Sequence, residues 1–286
     1  MVQAQLKGLL APEFSEARAP LMRFDLPPAP EYTHPNPPVE VHDARQLQSS
    51  ANKPDADFFD EHGFVLLEHA TAVKDWDRDI ASIYQAEIAS LIRERLLPGK
   101  KVIIQQGAGV VRRGQEQRYY VEGVHSDGPL TPEIYAANLR VILSDQAARA
   151  WQQALASDEV AGFALIDFWR TTNMNGPLRH MPLALCDPHS LDRSDMIPNS
   201  IANVARGGRL TEILALRFNP RQQWYYYPEM RGDEVLAFKL YEYLKDDPQG
   251  PLQTVFHSAF SDPNTPDGFE PRQSCEHRAG VMILRD

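Results

Sequence analysis

Nine histidines are scattered through the 286 residues, and one of them is followed two positions later by an acid: His125-Ser126-Asp127. In a strand, residues i and i+2 point to one face, so this tripeptide can present an imidazole and a carboxylate to a single ion. A third ligand has to come from elsewhere in the chain, because one strand cannot encircle an ion. The later candidates are His180, His189, His257 and His277. Of these, His257 sits inside a strong strand pattern, Val255-Phe256-His257-Ser258-Ala259-Phe260. Two imidazoles and one carboxylate on one face of an octahedral Fe(II) leave three positions open for substrate chemistry. Taken singly, each part has an ordinary explanation: a surface turn before Gly128-Pro129 for the first, a core histidine for the second.

Downstream of His257 comes Pro271-Arg272-Gln273-Ser274. Arg272 and Ser274 again share one face of a strand and offer a bidentate fork plus one more donor, a match for a carboxylate. A salt bridge from Arg272 to Glu276 is the competing explanation. His180 and His189 precede no such Arg-x-Ser pair, and His277 has almost no chain after it. The conjunction of His-x-Asp, a distal His and Arg-x-Ser is more specific than any of its parts. Around it, Trp169 and Arg170 close a strand, and Tyr120 and Tyr225 (with Tyr119, Tyr226 and Tyr227) offer aromatic walls for a substrate or plain sheet packing. Arg112, Arg113 and Arg118 could steer an acidic co-substrate or simply form a solvated face. Asp187 and Asp195 flank Ser190 in a loop-like region, where helix capping explains them as well as catalysis does.

The elements that must hold these residues can be read from periodicity. Residues 1–56 are proline-rich, including Pro27-Pro28-Ala29-Pro30 and Pro35-Asn36-Pro37-Pro38, and are expected to wrap the core as extended chain. Residues 57–286 are expected to form a single domain. Asp57–His62, then Gly63, then Phe64–Leu67 reads as a short helical turn, a glycine break and a strand. Apolar residues at spacings of three and four predict a helix over 73–97, and Thr131-Pro132-Glu133 opens a second one running to about Ser157. Beyond it, 160–170, 210–218, 223–227, 235–241, 253–260 and 279–284 read as strands. Helices followed by an all-β run indicate an antiparallel sandwich with helices packed outside.

Bulk composition narrows the function classes. The formal charge of -10 and the lack of a Lys/Arg-rich block argue against nucleic acid. No apolar stretch approaches the roughly 20 residues of a membrane span, and the N-terminus lacks a signal-peptide pattern. Cys186 and Cys275, too few for a disulfide framework, are expected to be buried reduced thiols of a cytoplasmic protein.

The order His125-x-Asp127, His257, Arg272-x-Ser274 resembles the iron(II)- and 2-oxoglutarate-dependent oxygenases. A narrower resemblance rests on several segments: Phe168-Trp169-Arg170, Gly176-Pro177, Pro182-Leu183-Ala184-Leu185-Cys186-Asp187 with Ser190, Trp224-Tyr225-Tyr226, Asp233-Glu234-Val235, His257-Ser258-Ala259-Phe260 and Pro271-Arg272-Gln273-Ser274-Cys275-Glu276-His277-Arg278. Over roughly residues 38–286 these are similar to the family of the cephem 7α-methoxylase subunit and the fungal AsaB-like hydroxylase/desaturases. Two departures stand out. The family's Arg-Glu-Ser is Arg272-Gln273-Ser274 here, and its Tyr-Asp-Ser is Tyr241-Glu242-Tyr243. The resemblance implies a mainly β fold with flanking helices around a double-stranded β-helix (jelly-roll, cupin-like) core. It implies Fe(II) on His125, Asp127 and His257, 2-oxoglutarate as co-substrate with its far carboxylate on Arg272 and Ser274, and O2. The implied reaction is hydroxylation, desaturation or cyclisation of a small natural-product or amino-acid-like molecule, with no catalytic side chain beyond the metal ligands. Trp169, Arg170, Tyr120 and Tyr225 are the candidates for the substrate side. A 2-oxoglutarate-independent non-haem iron oxidase, a zinc-type hydrolase and a non-catalytic jelly-roll partner subunit stay open as alternatives, as does the oligomeric state.

Overall fold

Two curled sheets face one another in the structure, a computed structural model that describes all residues except 24–27, 108, 115–119, 203–208, 249, 251 and 286. Arg118 and Tyr119 lie outside the described residues. The larger sheet has the order β3 (Phe64–Glu68), β11 (Glu234–Leu244), β6 (Val160–Thr171), β13 (Ser274–Leu284) and β4 (Val102–Gln106), and β5 (Val111–Arg113) pairs with the start of β13. The second has the order β1 (Val2–Ala4), β2 (Val39–Asp43), β10 (Trp224–Tyr226), β7 (Leu183–Cys186) and β12 (His257–Ala259). A ribbon of β8 (Met196–Ile201) and β9 (Thr211–Leu216) extends it. The stitch is made by two residues of the site: His125 bridges His257 on β12, and Ser126 bridges Leu214 on β9. This is the jelly-roll core, mainly β with helices outside.

The long strands are apolar because both of their faces are covered. β6 pairs with β11 on one side and β13 on the other, and the period-2 alternation of side chains divides the contents. Asp167 and Trp169 of β6 turn toward Arg278 and Arg272 in the interior between the sheets. Arg170 and Cys275 turn to the other face, where Arg170 sits over Trp76 and His277 meets Tyr84.

The helices cover that outer face and one end of the roll. They are α1 (Ala44–Ala51), α2 (Asp55–His62), α3 (Gln85–Leu91), α4 (Pro132–Ile142) and α5 (Asp145–Ala156). The helix expected over 73–97 is a continuous rod only from Ile80 to Leu96, with π-helical turns before and after α3. Its expected first two turns are replaced by a loop in which Asp79 accepts from the Lys74 and Asp75 amides, both at 2.9 Å. The helix expected from Thr131 to Ser157 is two helices. Thr131 caps the first, and Ser144 opens the second by accepting from the Ala147 amide. That break lets Tyr135 and Trp151 converge on Phe163 at centroid distances of 4.8 and 5.2 Å and plug the end of the roll.

Six strands are absent from the sequence-based list: β1, β2, β4, β5, β7 and β8. β4 and β7 are short. β8 carries Pro198, which can only sit where no amide donor is needed, and its carbonyl instead accepts from Ala19. At the N-terminus β1 pairs with β2, and Leu6, Leu9 and Leu10 are buried. Both cysteines are buried free thiols.

Candidate metal centre and carboxylate clamp

His125 and His257 exchange backbone hydrogen bonds, His257 N to His125 O at 2.9 Å and the reverse at 3.2 Å. Their rings therefore lie side by side, tilted by 52° with centroids 4.5 Å apart. Each ring is oriented by its own chain: Nδ1 of His125 donates to the Gly123 carbonyl at 2.7 Å, and Nδ1 of His257 donates to the Val255 carbonyl at 3.1 Å. Those bonds fix the tautomer with a lone pair on Nε2, the arrangement that metal-binding histidines share. Both Nε2 atoms face one oxygen, Asp127 Oδ2, at 3.8 and 3.9 Å. Asp127 is positioned by the turn after Ser126, whose hydroxyl accepts from Gly128 N. Gly128 itself is required there, since a Cβ would lie 1.7 Å from the Leu240 carbonyl oxygen.

The electrostatics suit a cation. Burial favours the neutral Asp127 acid, but Arg278, His125 and His257 outweigh it and hold the carboxyl well below the usual range. Burial, reinforced by His125, pushes His257 down to about 3, so its ring is a neutral donor at physiological pH. Arg278 donates to Asp127 Oδ2 at 2.7 Å and also meets Glu276 and Asp167. Asp167 is buried beside Arg278, with neither oxygen in a hydrogen bond, and burial, then Glu276, raises its pKa well above the ordinary carboxylate value.

The clamp lies at the start of β13, Ser274 on its interior face and Arg272 two residues ahead of it. Arg272 is 1% exposed, stacked 4.3 Å from the Tyr120 ring centroid and 5.6 Å from that of Trp169, with Nη1 donating to the Met181 carbonyl. Tyr120 donates from its hydroxyl to the Arg272 carbonyl at 2.8 Å. The electrostatically coupled acid, Glu276, pairs instead with Arg113 and Arg278. The salt bridge to Glu276 considered from sequence is therefore not what holds Arg272. Its Nε and the Ser274 hydroxyl are buried with no hydrogen-bond partner. Burial drives the guanidinium down to about 9. Two donors buried side by side with nothing to bind are the complement of an anionic ligand oxygen.

The structure brings His125, Asp127 and His257 together and sets Arg272 and Ser274 on one strand face. Trp169 and Tyr120 pack on the clamp arginine. Tyr225 packs on Phe64 and His42. Arg170 corrects the expectation placed on it: alternation on β6 turns it to the helix side, where it donates to the His69 and Gly232 carbonyls. His180 supports the clamp from outside, its Nδ1 accepting from Arg272 N. Arg278 and Asp167 were not singled out from sequence, and Glu276 was considered only as a partner for Arg272. Residues 272, 274, 276 and 278 all share one face, so extending the i, i+2 pattern two steps further would have found the last two on β13.

A jelly roll with a two-histidine-one-carboxylate cluster defines the class of fold and site. The model of a family described as an oxidoreductase/YMDC permease-like domain matches residues 16–282, and the chain belongs to that family. It is 26% identical over 269 residues to the hydroxylase/desaturase efuI of Hormonema carpetanum, covering 86% of this chain and 83% of that one. It is 24% identical over 277 residues to the alpha-ketoglutarate-dependent dioxygenase phiK of a fungal species, covering 88% and 94%. A shorter match, 32% over 131 residues, joins 42% of this chain to 56% of the hydroxylase/desaturase asaB of Aspergillus flavus. Among solved structures, the iron and alpha-ketoglutarate-dependent endoperoxidase NvfI shares the fold with a TM-score of 0.68 at 22% identity, over 100% of this chain and 97% of that one.

Proposed function

We propose that this chain is a non-haem Fe(II)- and 2-oxoglutarate-dependent dioxygenase that hydroxylates, desaturates or cyclises a small natural-product-like molecule. The observation that carries this reading is the pairing of two features in the interior between the sheets: the His125, Asp127, His257 cluster and, on the β13 side that sends Arg278 to Asp127, the buried donors of Arg272 and Ser274 that have no hydrogen-bond partner. The names of the relatives support it, several being hydroxylase/desaturases or alpha-ketoglutarate-dependent dioxygenases.

The donor set fits iron: two imidazoles and one carboxylate, all on one side, suit an octahedral Fe(II) with open positions. When bound, the iron with 2-oxoglutarate and O2 supplies the oxidising chemistry. The chain's own residues do the rest. Gly123 and Val255 carbonyls aim the two rings. Arg278 keeps Asp127 ionised. Arg272 and Ser274 receive the far carboxylate of 2-oxoglutarate, and Tyr120 and Trp169 hold the guanidinium flat while excluding water. Tyr225 is the remaining candidate for the substrate side.

We also assign residues 57–286 to a single oxygenase domain, with residues 1–56 wrapping it. The pairing of β1 with β2 and the bridges from Leu10 to Arg217 and Met22 to Ile201 support this. A cytoplasmic location fits the two buried free thiols. No helix among the described residues is long and apolar enough to cross a membrane. The test is metal binding in variants: His257→Ala loses stoichiometric Fe(II), whereas His180→Ala and His277→Ala retain it. Loss of iron in His180→Ala with retention in His257→Ala would overturn the assignment.

A further inference from the structure

A second cluster of ligating side chains lies outside the triad. His62 ends α2, and Gly63 at φ +70° turns the chain sharply into β3. A Cβ on Gly63 would come within 3.1 Å of Pro188 and of Val255, so glycine is what lets the end of α2 press against the turn after β7. That contact sets His62 Nδ1 2.7 Å from Asp187 Oδ2. Asp187 caps the short helix Pro188–Ser190 by accepting from His189 N, which brings the His189 ring back over the same carboxylate with Nδ1 3.3 Å from Oδ1. The donor atoms of all three residues lie within 4.8 Å of one another.

We propose that His62, Asp187 and His189 form a second divalent-cation site, suited to Zn2+ and distinct from the iron triad. The donors are two imidazoles and a carboxylate, a set typical of zinc. Bonds of about 2.0–2.1 Å in a tetrahedron put neighbouring donors roughly 3.3 Å apart. His62 meets one oxygen of Asp187 at 2.7 Å and His189 meets the other at 3.3 Å, so the carboxylate lies between the two rings and has to turn one oxygen to an ion that both imidazoles reach, the His62 contact opening by about 0.6 Å. His62 then takes the Nε2–H tautomer, freeing Nδ1 for the metal. His189 has 58% of its side chain exposed, so solvent supplies the fourth ligand and an entry path, while Asp187 is 5% exposed and fixed. The site is not part of the triad: Leu185, two residues before Asp187, is the one opposite His257 in the β7–β12 ladder.

The experiment counts zinc by mass spectrometry on the full chain, chelator-stripped, equilibrated with Zn2+ and desalted. Wild type is expected to retain two zinc ions, one in each cluster, and His189→Ala one. His125→Ala/His257→Ala is expected to retain one, held by the new site. His189 is exposed, so its removal does not put folding at risk, and the comparison of wild type with His189→Ala decides the matter even if the double variant fails to fold. Iron-loaded His189→Ala is expected to consume 2-oxoglutarate at the wild-type rate. Equal zinc counts in wild type and His189→Ala would overturn the proposal, as would a folded double variant that retains none.

Discussion

Replacing Arg272 with methionine separates what the clamp does for binding from what it does for the fold. Lowering the guanidinium from its ordinary value to about 9, with burial the largest cause, corresponds to roughly 5 kcal/mol of net cost to the charged form. Against this stand the charge-assisted bond to the Met181 carbonyl, about 1.5–3 kcal/mol, and stacking on Tyr120 and Trp169, about 2 kcal/mol. These nearly cancel, and methionine keeps much of the apolar contact. Arg272→Met without co-substrate should therefore unfold within about 2 kcal/mol of wild type, whereas removing one member of a satisfied buried ion pair costs roughly 3–5 kcal/mol. Adding 2-oxoglutarate at a hundred times its Kd should stabilise wild type by about 2.7 kcal/mol. The variant should gain at most about 0.9 kcal/mol, because losing a buried charged partner weakens binding by about 2–5 kcal/mol, on the order of thirty- to several-thousand-fold. The assay is urea unfolding followed by tryptophan fluorescence, with and without 2-oxoglutarate, both proteins carrying Mn(II) as a redox-inert stand-in. The reasoning is refuted if the variant loses more than 3 kcal/mol in the absence of co-substrate, or if 2-oxoglutarate stabilises both proteins equally.

Other outcomes follow from the same geometry. Trp151→Ala, which opens the aromatic plug beside Tyr135 and Phe163, should cost about 3–5 kcal/mol of stability while leaving the KM for 2-oxoglutarate unchanged; chemical unfolding and steady-state kinetics check both halves. Arg278→Gln removes the donor that keeps Asp127 ionised and should weaken Fe(II) affinity about 10–100-fold in a chelator competition, with unchanged affinity counting against its role. In the metal-stripped protein, His257 is depressed from 6.5 to about 3. Its contribution to stability is complete above pH 6.5 and is lost as pH falls toward 3, amounting to about 2 kcal/mol by pH 5. His257→Asn should lack that part of the pH dependence in urea titrations at pH 7.5 and 5, and an identical slope in both proteins would contradict it.

The sequence made some of this legible and hid the rest for physical reasons. His125-x-Asp127 and Arg272-x-Ser274 could be read because a strand puts i and i+2 on one face whatever its partners are. His257 could be read because a histidine inside an apolar strand is conspicuous. Which strand lies beside which is a tertiary fact, so the engagement of Asp127 by Arg278 had no local signature. Asp167 was masked by the apolar run around it, since its one charged neighbour, Arg278, comes from a strand more than a hundred residues away in the chain. The direction of Arg170 was decided by pairing: Cys275 lies opposite it in the ladder, and both turn toward the helices. The merged helix of residues 131–157 shows the opposite failure, a periodic pattern that continues through a break because Ser144 recaps the chain within one residue. β8 was hidden by Pro198, which an edge strand tolerates and a central strand does not.

The most direct test of the central claim is optical titration of the Fe(II)-loaded protein with 2-oxoglutarate under strictly anaerobic conditions. A co-substrate chelating iron held by His125, Asp127 and His257, with its far carboxylate on Arg272 and Ser274, predicts a new saturable visible absorption band in wild type. The same band should be absent from His257→Ala and should be reached in Arg272→Met only at far higher 2-oxoglutarate. A wild-type protein that binds iron but shows no band, or an Arg272→Met protein that titrates at the wild-type concentration, would contradict it.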